Sequence, residues 1–207
     1  GALGSKYVRS DPIDLQEMHS GHAVHPRGRS RIPEGLSGHR KFMKIIVIAV
    51  CRNEEKILPW FLRHYERLAD EIHIHDNSST DRSREIITAH PKTKLLTYDT
   101  GGKIDDGANI DIKNQYYKTL DGDWFIIVDM DEFVWLDAYI CPDFREFLVT
   151  CDNYGITAPS TIGYEMVGDG WPVDDGKSQL TDHVKSGIVD LSYSKHAVIR
   201  HTVDINY

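Results

Sequence analysis

Short apolar runs separated by stretches of helical periodicity recur from Met43 onward, and this alternation constrains the fold more than any other feature. Two runs are almost continuously apolar, as expected for parallel strands covered on both faces. A third alternates apolar and polar residues, and a fourth is weaker. The predicted strands are residues 44–50, 71–75, 94–98 and 124–128. Strands that alternate with crossover helices predict an α/β fold, with a mostly parallel central sheet flanked by helices in a single domain over residues 42–207.

Residues between the predicted strands have apolar side chains at helical spacing. They predict helices over residues 58–68, 80–89 and 108–120, with Pro59 accommodated in a first turn. Farther along, residues 142–149 predict a short helix, and residues 156–167 mix strand-like residues with glycine.

The segment before the sheet, residues 1–41, is polar and contains scattered Gly, Pro, Arg and His. It predicts an irregular amino-terminal arm that begins with the remnant of an expression tag. Its histidines are expected to be solvated, because no cysteine or carboxylate accompanies them at ligand spacing; a metal site is the alternative. These histidines are His19, His22, His25 and His39.

The charge balance argues against a nucleic-acid partner. The chain has 32 Asp and Glu against 24 Lys and Arg, and its formal net charge of −8 repels a phosphate backbone. A metal with a phosphate ligand stays compatible, because a divalent cation reverses the local sign at a carboxylate cluster. Cys51, Cys141 and Cys151 match no zinc or disulfide spacing. With neither a transmembrane run nor a signal-peptide pattern, we expect a cytoplasmic protein.

Three of the predicted strands run into unusually polar segments. These segments are residues 51–55 (CRNEE), 76–81 (DNSSTD) and 129–132 (DMDE). In an open α/β sheet, ligands bind at the carboxyl ends of the strands. We therefore expect the three segments to face one crevice.

Asp129 and Asp131 lie two residues apart after a buried strand, where an extended backbone would put both carboxylates on the same side. Carboxylates this close repel each other unless a cation lies between them. Oxygen ligands suit Mg²⁺ or Mn²⁺, which complete their coordination with waters and substrate phosphates. The alternative is a solvated acidic turn that closes a strand.

The run VCRNEEKILPWFLRHYERLADEIHIHDNSSTDRS, followed farther along by FIIVDMDEF, resembles the glycosyltransferase family 2-like enzymes of the GT-A fold. The resemblance covers residues 44–133, and its specificity lies in the combination and order of the pieces. It implies a GT-A, Rossmann-like domain with a nucleotide-binding half over residues 42–137 and an acceptor-side half over residues 138–207. It also implies a Mn²⁺- or Mg²⁺-dependent transferase that takes a nucleotide-sugar donor, with a UDP-sugar as first choice and a GDP-sugar as second.

The resemblance assigns roles to individual residues. Arg52, Asn53 and Glu54 would border the nucleotide pocket, and Asp76 would contact the base or ribose, a task that suits a hydrogen-bond acceptor. Helix capping is the competing role for the segment that begins at Asp76. Asp129 would lie at the ribose and the metal, and Asp131 would be the more direct metal ligand.

Further donor contacts of such enzymes often lie between the third and fourth strands, and Lys103 and Asn114 fall there. Lys103 could neutralise a phosphate or belong to a flexible surface turn. Tyr116 and Tyr117 could stack on a base, although tyrosines on an amphipathic helix more often pack in the core.

The acceptor, a glycan or protein-linked glycan, is expected to bind beyond the DxD strand, where Trp171 could pack on a sugar ring. If the reaction inverts the anomeric centre, as we expect, a general base is required. Asp182 is favoured because its distance beyond the DxD motif resembles the family's. The other carboxylates considered are Glu165, Asp169, Asp174 and Asp175. Related sequences often continue into a glycine-histidine segment that supplies another metal ligand, so we expect either that this chain is part of a longer one or that its site is completed otherwise.

Two other functions compete with glycosyl transfer. A phosphatase like the haloacid dehalogenases also uses a DxD motif, with the first aspartate as nucleophile. That family would place the motif on the first strand and threonine or valine at the position of Phe133. The other is a non-catalytic domain that binds sugar nucleotides.

Overall fold

A computed structural model describes residues 5–10, 43–101, 103, 105–137, 141 and 143–207 of the chain. The strands in chain order are β1 (Ser5–Ser10), β2 (Ile45–Cys51), β3 (Glu71–Asn77), β4 (Thr93–Tyr98), β5 (Trp124–Val128), β6 (Glu132–Leu136), β7 (Ile162–Val167), β8 (Ser186–Val189) and β9 (Val198–Arg200). The helices are α1 (Leu58–Tyr65), α2 (Ser83–Ala89), α3 (Asp106–Gln115), α4 (Phe144–Asn153) and α5 (Leu180–His183). Two short 3-10 turns cover Tyr116–Thr119 and Leu191–Tyr193.

The central sheet has the strand order β4-β3-β2-β5-β9. Its first four strands are parallel, and Ile48 of β2 lies opposite His73 of β3 on one side and Ile127 of β5 on the other. β9 is antiparallel to β5 and closes the far edge. The predicted class is confirmed: this is a Rossmann-like α/β fold with a mostly parallel sheet. All four predicted strands are present, with small shifts at their ends.

The two faces of the central sheet are both buried, which explains the apolar runs. Alternate residues of a strand point to opposite faces. Val47 and Ala49 of β2 belong to the apolar cluster that contains α1, whereas Ile46 and Ile48 belong to a second cluster with Tyr117. Tyr117 thus packs in the core.

Hydrogen bonds to neighbouring loops determine where several helices begin and end. α1 ends at Tyr65, earlier than predicted, because the chain turns as the Tyr65 carbonyl accepts bonds from Leu68 and Ala69. α2 begins three residues later than predicted, because the residues before it bond to the loop after β2. The predicted third helix becomes α3 followed by a 3-10 turn.

A second sheet has the order β6-β1-β7-β8, in which β1 is parallel to β6 and antiparallel to β7. The prediction of an irregular arm is therefore wrong for Ser5–Ser10, because this segment pairs with strands far away in the sequence, which local patterns do not reveal. The arm histidines lie outside the described residues. Within the part of the chain that the structure describes, no helix is long and apolar enough to cross a membrane.

Candidate functional site

The loops after β2 and β3 are joined by hydrogen bonds at the carboxyl edge of the central sheet. The Asn53 N–H donates to Ser79 Oγ at 2.9 Å, and the Thr80 N–H donates to Asn53 Oδ1 at 2.8 Å. The Glu54 N–H donates to Ser83 Oγ at 2.8 Å. Asn53 and Ser78 have φ angles of 55° and 52° in the left-handed region, which asparagine tolerates better than most residues. These bonds fix the two polar segments to each other.

Asp76 is the most deeply buried carboxylate of this edge, with an exposed fraction of 0%. Its Oδ2 accepts a bond from the Ser79 N–H at 3.2 Å and lies 3.5 Å from Nη1 of Arg84. Its Oδ1 is buried and has no hydrogen-bond partner among the described residues. Burial, and then the charge of Asp76, raise the pKa of Cys51 to about 12, so that thiol stays protonated. Asp76 thus closes a turn and does not cap α2, whose N-cap residue is Arg82. Its Oδ1 is a buried acceptor without a hydrogen-bond partner among the described residues.

The charges of Arg52 and Asp76 both act on Tyr98, the last residue of β4. Burial raises the pKa of Tyr98, the charge of Asp76 acts in the same direction, and that of Arg52 acts against it. Lys103 is placed differently: its backbone carbonyl accepts a bond from Asn77 Nδ2 at 3.2 Å, and its side chain is exposed. The structure thus ties the backbone of Lys103 to the end of β3.

The DxD segment is a tight turn and not an extended strand. The Glu132 N–H donates to the Asp129 carbonyl at 3.0 Å, and the Asp129 N–H donates to Glu132 Oε2 at 2.9 Å. Met130, between the two aspartates, is 4% exposed. The expectation that an extended backbone directs both carboxylates to the same side is therefore wrong, because the chain reverses here to begin β6.

Two lysines converge on the first aspartate of this turn. Lys113 of α3 forms an ion pair with Asp129 Oδ1. Lys195, which precedes β9, lies 2.5 Å from Glu132 Oε2 and 3.9 Å from Asp129 Oδ2. Sequence patterns did not single out either lysine. Lys113 is buried on a helix with little apolar character, so no local pattern of the sequence marks it as buried.

The second aspartate of the turn, Asp131, is electrostatically coupled to the loop after β2. Burial and then the charges of Asp131 and Asp81 raise the pKa of Glu54 to about 7. Among the described residues, no three histidine, cysteine or acidic side chains lie at metal-binding spacing. Mg²⁺ and Mn²⁺ need only one or two carboxylates when substrate phosphates complete the shell. Asp131 and Glu54 fit that requirement better than Asp129, whose carboxylate already faces two ammonium groups.

Asn114 is 4% exposed and binds the last residues of the chain. Its Nδ2 donates to Asn206 Oδ1 at 3.0 Å, and its Oδ1 accepts from the Tyr207 N–H at 2.9 Å. The ring of Tyr207 lies 5.7 Å from Nζ of Lys195. The segment that ends at Tyr207 therefore packs beside the lysines, and the predicted donor contact of Asn114 stays a prediction.

The carboxylates considered as general bases take part in local structure. Asp182 Oδ2 accepts a bond from the Gln179 N–H at 2.8 Å and so caps α5. Asp174 pairs with Arg63 at 2.6 Å, and Asp175 accepts bonds from the N–H groups of the turn that follows it. Glu165 and Asp169 are exposed. His183, next to Asp182, lies 5.5 Å from Trp60 of α1, so this segment packs on α1.

Tyr116 and Tyr117 were considered as residues that stack on a base, and Trp171 as one that packs on a sugar ring. The Tyr116 hydroxyl lies 3.1 Å from Nδ1 of His73. The Tyr117 hydroxyl donates to the Val203 carbonyl at 2.9 Å and accepts from the Ile205 N–H at 3.0 Å. Both tyrosines have packing roles, as the alternative held. Trp171 is 46% exposed.

No family model matches the chain, and no curated protein matches it. Among solved structures, a 4-diphosphocytidyl-2C-methyl-D-erythritol synthase is 14% identical, with 77% of this chain and 76% of that chain covered and a TM-score of 0.38. A synthase of the same name from Anaerococcus prevotii is 12% identical, covers 77% of this chain and 70% of that chain, and has a TM-score of 0.37. At such scores neither likeness identifies a function. The class assigned to the chain, a Rossmann-like α/β fold, follows from the strand order described above.

Proposed function

We propose that the chain is a glycosyltransferase that moves a sugar from a nucleotide diphosphate donor to a hydroxyl of a glycan or protein-linked glycan. A UDP-sugar is the first choice and a GDP-sugar the second. The observation that carries this proposal is Asp76, a fully buried carboxylate at the carboxyl edge of the sheet with one oxygen not bonded to the described protein. A buried acceptor of this kind favours a ligand donor, and ribose hydroxyls and base N–H groups are donors.

The surroundings of Asp76 fit the rest of a donor. Asn53 bonds to Ser79 in the loop that follows Asp76, and the charge of Arg52 acts on Tyr98, as that of Asp76 does. The tight turn at Asp129 follows β5, which is two strands away from β3 in the sheet, and the phosphates would be placed there. Glu54 and Asp131 would hold Mn²⁺ or Mg²⁺ together with phosphate oxygens. When bound, that cation would neutralise charge on the departing diphosphate.

The acceptor hydroxyl would attack the anomeric carbon from the side opposite the diphosphate if the reaction inverts. Asp182 stays our predicted base. A carboxylate accepts several hydrogen bonds, so capping α5 and taking a proton are compatible roles for it. The segment over residues 174–183 packs on α1, which begins directly after the loop that carries Glu54.

Calorimetric titration of UDP and GDP, with and without Mn²⁺, tests the proposal on the wild type and Asp76→Asn. We expect binding to one of the two nucleotides and a loss of affinity of about tenfold or more in the variant, because an amide accepts less strongly than a carboxylate. The matched control is Asp121→Asn, an exposed aspartate that precedes β5 at the opposite end of the sheet. Absence of binding to both nucleotides in every condition would contradict the proposal. When a nucleotide does bind, release of the sugar from a UDP-sugar distinguishes an enzyme from a domain that only binds the donor.

A further inference from the structure

We propose that Lys113 and Lys195 form a subsite for a diphosphate group, which they bind through their ammonium groups next to the DxD turn. The lysine pair comes from two elements that are far apart in the sequence, α3 and the segment before β9. The diphosphate would be that of the donor, so this assignment of the donor contact rests on the proposed function. The ability of the lysine pair to bind a free anion is independent of the proposed function.

The burial of the two side chains is the first support. Only 11% of the Lys113 side chain and 21% of the Lys195 side chain are exposed. Lysine is seldom buried without a partner, and an ammonium group placed at the carboxyl edge of a parallel sheet lies where ligands bind in this fold. By contrast, the Lys118 side chain farther along the same region is 34% exposed and pairs with Asp204, which is 85% exposed.

The geometry of the contacts is the second support. Lys195 Nζ donates a hydrogen bond to Glu132 Oε2 at 2.5 Å and lies 3.9 Å from Asp129 Oδ2, which is an ion-pair distance and too long for a hydrogen bond. An ammonium group has three N–H donors, and Lys195 uses one of them on Glu132. Lys113 reaches the same aspartate from the side of α3. Both ammonium groups thus converge on one point with donor capacity beyond their carboxylate partners.

The charge of the surrounding edge is the third support. Its acidic residues would repel a polyanionic diphosphate in the absence of nearby cations. They are Glu54, Asp76, Asp129, Asp131 and Glu132. A divalent cation at Glu54 and Asp131 would offset part of this charge, and the lysines offset the part at Asp129 and Glu132. The two ammonium groups and these two carboxylates balance in charge, so anion binding requires the lysines to exchange carboxylate contacts for phosphate oxygens. A network with a purely structural role would not make this exchange and would bind no anion.

The test titrates inorganic pyrophosphate, without divalent cations, into the wild type, Lys113→Met and Lys195→Met. Methionine keeps the length and apolar character of the stem and removes the charge. We expect the wild type to bind, each variant to lose about tenfold or more in affinity, and added salt to weaken the binding. Lys118→Met is the matched control and should bind as the wild type does. The proposal is overturned if the wild type binds no pyrophosphate, or if all four proteins bind it with equal affinity.

A measurement on the wild type alone covers the case in which a variant does not fold. Saturating pyrophosphate should slow the reductive methylation of Lys113 and Lys195, followed by mass spectrometry, and leave Lys118 unchanged. Equal labelling of the three lysines with and without pyrophosphate overturns the proposal. The nucleotide experiment fails separately: pyrophosphate binding through these lysines without UDP or GDP binding would retain the anion subsite and reject the glycosyltransferase.

Discussion

Glu54 is a carboxyl group whose proton affinity is set by two neighbours and by burial. Its pKa is raised to about 7, first by burial and then by the charges of Asp131 and Asp81. In the unfolded chain the group would titrate near its ordinary value of about 4.5. The folded protein therefore retains a proton on Glu54 between these values, where the unfolded chain has lost it. This difference reduces the free energy of unfolding as the pH rises through that window.

We predict that Glu54→Gln removes this pH dependence. Relative to the wild type, the free energy of unfolding of the variant should rise by about 1–2 kcal/mol between pH 5 and pH 8, a value reduced for solvent screening of a half-buried group. Urea unfolding at both pH values measures it, with Glu165→Gln, an exposed glutamate on β7, as the control. Saturating Mg²⁺ should raise the free energy of unfolding of the wild type at pH 8, because a cation stabilises the ionised carboxylate. A difference that does not vary with pH would contradict the prediction.

Which site residues could be predicted from the sequence depends on how local their signal is. Asp76 lies near the carboxyl end of β3 and Asp129 directly follows β5, and the strand-end rule placed both at one edge of the sheet without any coordinates. Lys113 and Lys195 carry no such signal, because a lysine on a polar helix is ordinarily solvated. Only the tertiary placement of α3 and of the segment before β9 beside the turn that follows β5 brings their ammonium groups to Asp129.

At the scale of elements, the loop after β2 and the loop after β3 are fastened by the side chain of Asn53. Its amide oxygen accepts from the Thr80 N–H at 2.8 Å, while its own N–H donates to Ser79. Its φ of 55° is accessible to asparagine and glycine at low cost and to alanine at a higher one. The residue thus contributes both a hydrogen bond and a backbone conformation.

Two substitutions separate these contributions. We predict that Asn53→Ala lowers the free energy of unfolding by about 1–3 kcal/mol, since it loses the bond and adopts an unfavourable φ. Asn53→Gly loses the bond but accepts the conformation, so its loss should be smaller by about 1 kcal/mol. Urea unfolding compares the two. Equal losses would show that the backbone conformation at position 53 contributes no measurable strain.

The elements of the central sheet were predictable because each parallel strand carries its own apolar run. The second sheet was not. β1 pairs with β6 and β7, which lie more than 100 residues away, and β8 is exposed along its whole length, so neither has a local apolar pattern. β9 is too short to be recognised before its partner β5 is known. Element boundaries also shifted where loop hydrogen bonds compete with helix formation, as at Ser83.

At the scale of the whole molecule, α1 connects the site to the second sheet. His64 Nε2 lies 2.9 Å from the Val134 carbonyl, and its pKa is lowered to about 4, mainly by burial, so the neutral ring donates this bond. The Tyr65 hydroxyl donates to the Glu132 carbonyl at 2.8 Å and accepts from the Val134 N–H at 3.0 Å. Both side chains thus hold the backbone of β6, the strand that begins at the end of the DxD turn.

Tyr65→Phe tests this connection, because it removes one hydroxyl and leaves two buried backbone groups without their partner. Tyr65 is 0% exposed, so water cannot replace the hydroxyl, and we predict a loss of about 2–4 kcal/mol in the free energy of unfolding. Tyr154→Phe is the control, since that residue is 79% exposed and should change stability little. Urea unfolding gives both values.

Tyr65→Phe should also weaken ligand binding. Glu132 is the first residue of β6, and its carboxylate bonds to the Asp129 N–H and to Lys195. A displaced β6 would move that carboxylate and, with it, the ammonium group of Lys195. We therefore expect pyrophosphate affinity to fall in Tyr65→Phe at a temperature at which the variant is still fully folded. Reduced stability with unchanged affinity would mean that the DxD turn keeps its geometry without the bonds from α1, and that the second sheet supports the fold but not the site.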